Sequence, residues 1–153
     1  MNKKDIRIRH EDFVEGIAVV KRVKSYLELG VYHGECFNQV AKYIGKKENV
    51  IGVDSMQEPL LDGTLLKMTT DEFFLNNTKT FDMIFIDADH TYESVKKDFY
   101  NSVKVLNPGG IIILHDTDPF DDSLINPLYC GDGYKIVEDL EKSDLYNIIT
   151  LPL

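Results

Sequence analysis

Ser25-Tyr26-Leu27-Glu28-Leu29-Gly30-Val31-Tyr32-His33-Gly34 is the stretch on which the fold turns. A short apolar run meets an acid, then a glycine, then a second glycine four positions on, and a helix-like pattern follows directly. Twenty residues later Val50-Ile51-Gly52-Val53-Asp54 is a second apolar run ending in a carboxylate. Strand, glycine turn, helix and strand make one unit. A glycine there lets the backbone turn sharply and lets a ligand lie against it. The helix that follows points its free N–H groups at the same place. Asp54, 24 residues after Gly30, stands where a carboxylate accepts from both hydroxyls of a ribose. The unit reads as a nucleotide-type binding site.

Outward from it, helix and strand alternate, which predicts an α/β layer architecture with a mostly parallel sheet. A helix is expected over 11–24, with Phe13, Ile17 and Val20 on one stripe. The first strand is 26–29. The helix after Gly34 carries Phe37, Val40, Ala41 and Ile44 on one face and stops near Gly45. The second strand is 49–54, followed by a loop or short helix over 55–63 and a third strand over 64–68. Thr70 is expected to cap a short helix. The fourth strand, 81–87, is apolar between two aspartates, as a strand covered on both faces should be. A helix over 92–106 places Val95, Phe99, Val103 and Leu106 together, and Asn107-Pro108-Gly109-Gly110 turns the chain into a fifth strand over 111–114. Residues 117–131 form a long acidic loop. A helix over 132–142 and a terminal strand over 146–151 complete the reading, with residues 1–153 as one domain.

The ligand is narrowed by what the glycine turn lacks. A dinucleotide fingerprint needs glycines at 30, 32 and 35; Tyr32 and Glu35 stand there instead. No GK[ST] follows, which excludes a P-loop. A ligand without phosphates fits better, and the charge of Glu28 suits a cation bearing ammonium and sulfonium groups. A nicotinamide oxidoreductase is disfavoured on the same ground.

The rest of the chain agrees with a small soluble protein. Its 153 residues are 43% hydrophobic and 28% charged, and the net charge is −9, which argues against a nucleic-acid backbone as partner. No apolar run approaches the ~20 residues of a membrane span. Met1-Asn2-Lys3-Lys4-Asp5 lacks the apolar core of a signal peptide, and Cys36 and Cys130 form no CxxC, so two reduced thiols in the cytoplasm are expected.

Glu28-Leu29-Gly30-Val31-Tyr32-His33-Gly34 resembles the first motif of class I S-adenosylmethionine-dependent methyltransferases, and Asp54 matches their ribose-binding acid. Phe81-Asp82-Met83-Ile84-Phe85-Ile86-Asp87-Ala88-Asp89-His90, Tyr92, Leu106-Asn107-Pro108-Gly109-Gly110 and Ile113-Leu114-His115-Asp116 are similar to later motifs of the small-molecule and sugar O-methyltransferase-like branch. The resemblance covers about residues 25–151. It implies a Rossmann-like three-layer sandwich of sheet order 3-2-1-4-5; the family normally ends with an antiparallel strand inserted between a fifth and a sixth, whereas here the C-terminus is shortened and only one terminal strand is expected beyond the fifth. It implies that Gly30, Tyr32 and Gly34 wrap the methionine part of the cofactor, that Asp54 with Ser55 holds the ribose, that the segment around Thr69 borders the adenine, and that Asp87 faces the methionine end and the substrate.

Asp87, Asp89, His90, His115 and Asp116 then lie together at the ends of neighbouring strands, where open α/β sheets bind ligands. Two roles are open. Asp87, His115 and Asp116 hold a divalent cation such as Mg, which lowers the pKa of an acceptor hydroxyl; or His90, His115 or Asp116 assists deprotonation directly. The bland reading of Asp89 and His90 is that they cap the following helix. Metal-dependent relatives usually carry an acidic or amide pair where His115-Asp116 stands here. His10 and His33 are read as ordinary. The expected function is methyl transfer to an oxygen of a small molecule or sugar; the alternative is a minimal or degenerate domain of this kind acting as a cofactor-binding or interaction module. With little sequence after the last helix, an open apolar sheet edge invites a second copy of the chain.

Overall fold

The computed structural model describes residues 9–59 and 61–151; Met1–Asp5, read above for the absence of a signal peptide, lies outside them, as does Leu60 in the loop after the second strand. The elements are α1 (His10–Lys21), β1 (Tyr26–Leu29), α2 (Glu35–Ile44), β2 (Val50–Val53), β3 (Thr64–Leu66), α3 (Thr70–Asn76), β4 (Phe81–Ile86), α4 (Tyr92–Val105), β5 (Leu106–Leu114) and α5 (Lys135–Glu141). The five strands form one parallel sheet in the order β3-β2-β1-β4-β5, the Rossmann-like order that the resemblance implies.

β1 sits at the centre because every one of its side chains is apolar or neutralised: Tyr26, Leu27, Glu28 and Leu29 are all buried. Successive strand residues face opposite sides. Tyr26, with Met83 and Phe85 of β4, packs under Val14 and Ala18 of α1 and Phe37 and Val40 of α2. Leu27 and Leu29, with Ile84 and Ile86, meet Phe73 of α3, Val95 and Phe99 of α4 and Ile136 and Leu140 of α5. Each face of the sheet is thus covered by its own helical layer.

Several expectations shift. In α1 the buried residues are Val14 and Ala18, with Ile17 partly buried against them, while Val20 is 82% exposed; both sets have helical spacing, and small Ala18 lets the helix approach closely. α1 stops at Arg22, which caps it in the left-handed region (φ 55°). Thr69, not Thr70, caps α3: its hydroxyl accepts from Glu72 N, and the Glu72 carboxylate accepts from Thr69 N in return, a reciprocal capping box. The Asn107–Gly110 turn is a bulge inside β5, since pairing jumps from Phe81 with Leu106 to Met83 with Ile111, and Asn107 Nδ2 donates to Asp82 Oδ1 across it (2.8 Å). α5 begins at Lys135, later than expected, and the residues before it form turns that lead into it, with Lys135 N donating to Asp132 O (3.2 Å) and Ile136 N to Gly133 O (3.1 Å).

The expected terminal strand does not form: 146–151 is irregular. Its apolar residues find a different surface. Tyr146 and Ile148 pack on the α4 and α5 side, with the Tyr146 ring 5.2 Å from that of Phe99. Among the described residues the outer edge of β5 therefore has no strand beside it.

Candidate functional site

The C-terminal ends of β1, β2 and β4 open into a cleft of about 1480 Å³. Gly30 closes β1 with φ 82°, and a Cβ there would stand 2.0 Å from the Asp87 carbonyl oxygen. Only glycine allows β1 and β4 to pass so closely. Gly34, at φ 84°, is the residue from which α2 starts, and a Cβ there would meet Leu61 at 2.6 Å. Between them Tyr32 takes φ 48°, an unfavourable conformation for a bulky residue.

Asp54 holds that conformation. Its Oδ2 accepts from Val31 N and Tyr32 N (both 3.0 Å) and its Oδ1 from Met56 N and Gln57 N (both 2.8 Å). Burial pushes its carboxyl upward, but the four backbone N–H groups outweigh this and hold it below the usual carboxylate range. A carboxylate has about four acceptor positions, and all four are occupied. Asp54 lines the cleft, yet its work in this structure is to fix the two lips, 31–32 and 56–57.

Of the other residues expected at the cofactor, Gly30, Tyr32, Ser55, Thr69 and Asp87 line the cleft, whereas Glu28 and Gly34 do not. Glu28 alternates onto the same face as Tyr26, is 2% exposed, and accepts a 2.6 Å hydrogen bond from the Tyr26 hydroxyl beneath α2. Burial raises its pKa to about 8, so at neutral pH it is mostly protonated. It cannot supply the negative charge expected of it. That charge comes from the lining itself: seven Asp and Glu residues against one lysine, Lys97, which pairs with Asp71 at 2.6 Å.

Beside the cleft, which Asp87 and His90 line and His115 and Asp116 do not, the ends of β4 and β5 bring these four side chains together. His115 Nδ1 stands 3.2 Å from Asp87 Oδ1 and 3.3 Å from Asp116 Oδ2, yet it is buried with no hydrogen bond of proper geometry. His90 Nε2 lies 3.3 Å from Asp87 Oδ1, and its Nδ1 meets the Tyr129 carbonyl. Both partners of His90 are acceptors, so both ring nitrogens donate and the imidazolium is favoured. Asp87 accordingly raises the His90 pKa to about 8, against some opposition from burial. For His115 burial alone would lower the pKa; Asp116 and Asp87 overcome it and raise it to about 10. Burial pushes the Asp87 carboxyl up, but His115 and His90 outweigh it, and His115 likewise holds Asp116 low.

The loop before α5 clamps this cluster. Gly133 N donates to His90 O (2.8 Å), and a Cβ on Gly131 would stand 2.3 Å from the same oxygen. Asp132 Oδ1 accepts from Tyr92 N (2.7 Å) and Asp89 Oδ1 from Thr91 N (2.8 Å). Neither Asp89 nor His90 caps α4: Thr91 is its N-cap residue, Asp89 closes the turn just before it, and the first helical N–H, that of Tyr92, is met by Asp132.

Two residues at the site were not singled out from the sequence. Asp98, 3% exposed on α4, lines the cleft floor, and burial raises its pKa to about 6; its only sequence signal is a carboxylate on the Val95 and Phe99 side of the helix. His10, read as ordinary, has its ring 4.5 Å from that of His115, and no spacing rule links residue 10 to residue 115. Among the described residues, two groups of side chains have ligand atoms all within 4.8 Å of one another: Asp87, His90 and Asp116, and His10, Asp87 and His115. The orphaned His115 nitrogen and the mixed carboxylate and imidazole donors fit a divalent cation. Imidazole suits a transition metal better than Mg, which prefers oxygen.

Comparison with solved structures finds the same fold. An O-methyltransferase from Bacillus cereus in complex with SAH shares 18% identity, with 91% of this chain and 71% of that one covered and a TM-score of 0.64. A candidate caffeoyl-CoA O-methyltransferase from Staphylococcus aureus shares 21%, with 93% and 78% covered and a TM-score of 0.72. The SAH-bound methyltransferase PaMTH1 of Podospora anserina shares 17%, with 94% and 74% covered and a TM-score of 0.67. By sequence, no curated protein matches the chain. The family model described as "Methyltransferase domain" matches residues 27–117, more than half of the chain, from β1 and its glycine turn to His115 and Asp116. On that match, and on the fold and cleft that those residues build, the chain belongs to the methyltransferase domain family.

Proposed function

We propose that the cleft binds S-adenosylmethionine and that the protein transfers its methyl group to an oxygen of a small molecule or sugar. The observation that carries the reading is the pairing of an acid-lined cleft over the Gly30 turn with the Asp87, His90, His115 and Asp116 cluster beside it. A cofactor with sulfonium and ammonium charges is drawn to such a lining, and two of the structural neighbours above were solved with SAH. Gly30 and Tyr32 border the methionine part, Asp87 faces its ammonium, and Thr69 with Ser55 borders the adenosine. Asp54 acts on the ribose mainly through the lips that it holds.

Methyl transfer is then a matter of alignment, with the acceptor oxygen held ~3 Å from the methyl carbon. His90 removes the acceptor proton once its own proton has left. Asp87 and Asp116 orient the imidazoles, and His115 stabilises the developing oxyanion. A divalent cation held by Asp87, His115 and Asp116 would lower the pKa of the acceptor hydroxyl.

A purely interaction-module reading has no use for a histidine clamped between Asp87 and the Tyr129 carbonyl. Both cysteines are free, in keeping with a reducing compartment such as the cytoplasm, and no described helix is long and apolar enough to cross a membrane. The open β5 edge offers a place for two copies to pair. The test is incubation with methyl-labelled S-adenosylmethionine and a panel of phenols, catechols and sugars, read by mass spectrometry. The expected product is a labelled methyl ether that disappears in His90→Ala. Label on nitrogen or carbon acceptors only would overturn the oxygen assignment.

A further inference from the structure

At the opposite end of the sheet from the cleft, the residues that close α1 meet the bulge of β5. Lys21, Arg22 and Lys24 on one side and Asp82, Gly109 and Gly110 on the other line a pocket of about 270 Å³. Two features there exceed what the fold requires. Arg22 takes the left-handed conformation (φ 55°) as the cap of α1, where its N–H donates to Val19 O (3.1 Å) and that of Val23 to Ala18 O (2.9 Å). A glycine makes the same cap without the steric cost that a side chain meets there, so the strain at Arg22 points to a use for its guanidinium. Gly109 has φ 77°, and a Cβ there would meet nothing within 4 Å, so the pocket reaches the backbone of the bulge.

The charges decide what the pocket takes. Among the described residues Lys21, Arg22 and Lys24 enter no ion pair, whereas the lysines of α4 and α5 at positions 96, 97, 135 and 142 each do. Asp82 is the one carboxylate in the lining. Its Oδ2 already accepts from Lys24 N (2.9 Å) and its Oδ1 from Asn107 Nδ2 (2.8 Å). Three cations against one carboxylate leave the pocket positive in a chain of net charge −9. The helix dipole accounts for Lys21, in the last turn of α1, but Arg22 and Lys24 lie beyond that turn. We propose that this pocket binds a phosphate-type oxyanion, free or as the phosphate group of a small monoester, with Arg22 as its two-pronged partner and Lys21 and Lys24 as point charges. The site is separate from the cleft and needs neither its cofactor nor its acceptor.

A guanidinium meets two oxygens of a phosphate with parallel N–H groups, while an ammonium adds charge without direction. A dianion gains more from three cations than a monoanion of the acetate kind does. The volume, about 270 Å³, falls below the ~300–1,000 Å³ of drug-sized ligand sites, which favours one phosphate group on a small carrier over a nucleotide. The competing account is an ordinary solvated surface whose cations are screened by diffuse counterions. Such a surface attracts every anion weakly and does not saturate.

The test is an amide NMR titration of the full chain, in phosphate-free buffer, with inorganic phosphate, with glycerol phosphate and with acetate. Expected are saturable shifts of the Arg22, Gly109 and Gly110 amides with the phosphates, and acetate binding weaker by about tenfold or more. Arg22→Gly keeps the left-handed cap and so folds; it is expected to weaken phosphate by about fivefold. Lys67→Ala removes a cation that follows β3 at the other end of the sheet and should leave the affinity within about twofold. Inorganic phosphate bound as tightly as glycerol phosphate, or more so, assigns the site to the free oxyanion; tighter glycerol phosphate assigns it to a phosphorylated small molecule. Shifts that do not saturate, acetate bound as well as phosphate, an affinity unchanged by Arg22→Gly, or an equal loss on Lys67→Ala each overturns the proposal.

Discussion

Asp54→Asn is the substitution that most sharply separates a loop-holding carboxylate from a ribose-binding one. In the wild type four backbone N–H groups, from Val31, Tyr32, Met56 and Gln57, donate to it at 2.8–3.0 Å. An asparagine keeps one oxygen, which can accept from one lip. Its NH₂ then faces the other lip donor to donor. Two hydrogen bonds to a charged group are lost, each worth about 1.5–3 kcal/mol. Asp54 is only half-buried, so water replaces part of this, and about 2–3 kcal/mol remains as the cost of ordering the two lips. If the ligand binds only the ordered form, its affinity falls by about 30- to 150-fold. Because the folded pKa of Asp54 lies below its unfolded value, this contribution is complete at neutral pH and is lost only as pH falls through the folded value. Calorimetry with SAH gives the affinity, and amide exchange at Val31 and Tyr32 gives the loop order. The expected result is a weakened affinity together with faster exchange at both amides. Affinity within about threefold of wild type, with both amides still protected, would refute the reasoning.

Glu28→Gln is expected to leave SAH affinity at pH 7 unchanged, since Glu28 is buried and mostly protonated there. An acid whose folded pKa is raised from near 4.5 to about 8 favours unfolding increasingly as pH climbs between those values. In urea denaturation the variant should therefore gain on wild type from pH ~4.5 to ~8 and hold its advantage above; a constant difference across that range would contradict the assignment. In metal-free protein the His90 imidazole should titrate at about 8, and Asp87→Asn should bring it down toward the ordinary ~6.5. The stability that His90 adds is fully present below ~6.5 and is lost as pH rises through about 8. Methyl transfer should follow the opposite course, with kcat/KM rising through the same pH. A His90 titrating near 6 by NMR would remove Asp87 as its partner.

The central strands were legible because burial on both faces leaves an uninterrupted apolar run, and β1 and β4 end within a residue of where the sequence places them. The glycine turn was legible for the same kind of reason: only glycine permits the close crossing at Gly30. Where two readings share one period, the sequence could not choose. Phe13, Ile17 and Val20 are as helical a set as Val14, Ile17 and Ala18, and only contact with α2 decides. The alternation in 146–151 does mark a half-buried segment, but Tyr146 and Ile148 meet Phe99 and its surroundings rather than a strand. Period two reports a covered side, not a hydrogen-bonded neighbour. The face of Glu28 was in principle readable from Tyr26 two residues earlier. The reciprocal cap of α3 was also present, as Thr69 and Glu72 three apart. His10 was out of reach, because its place beside His115 depends on how a whole helix docks.

The central claim is that the cleft over Gly30 is a S-adenosylmethionine site, and a calorimetric titration of the full chain with SAH, run beside NADH, tests it most directly. Saturable binding of one SAH per chain, with no heat from NADH, is the predicted result. A chain that takes up NADH, or that gives no heat with SAH while remaining folded by circular dichroism, would contradict it.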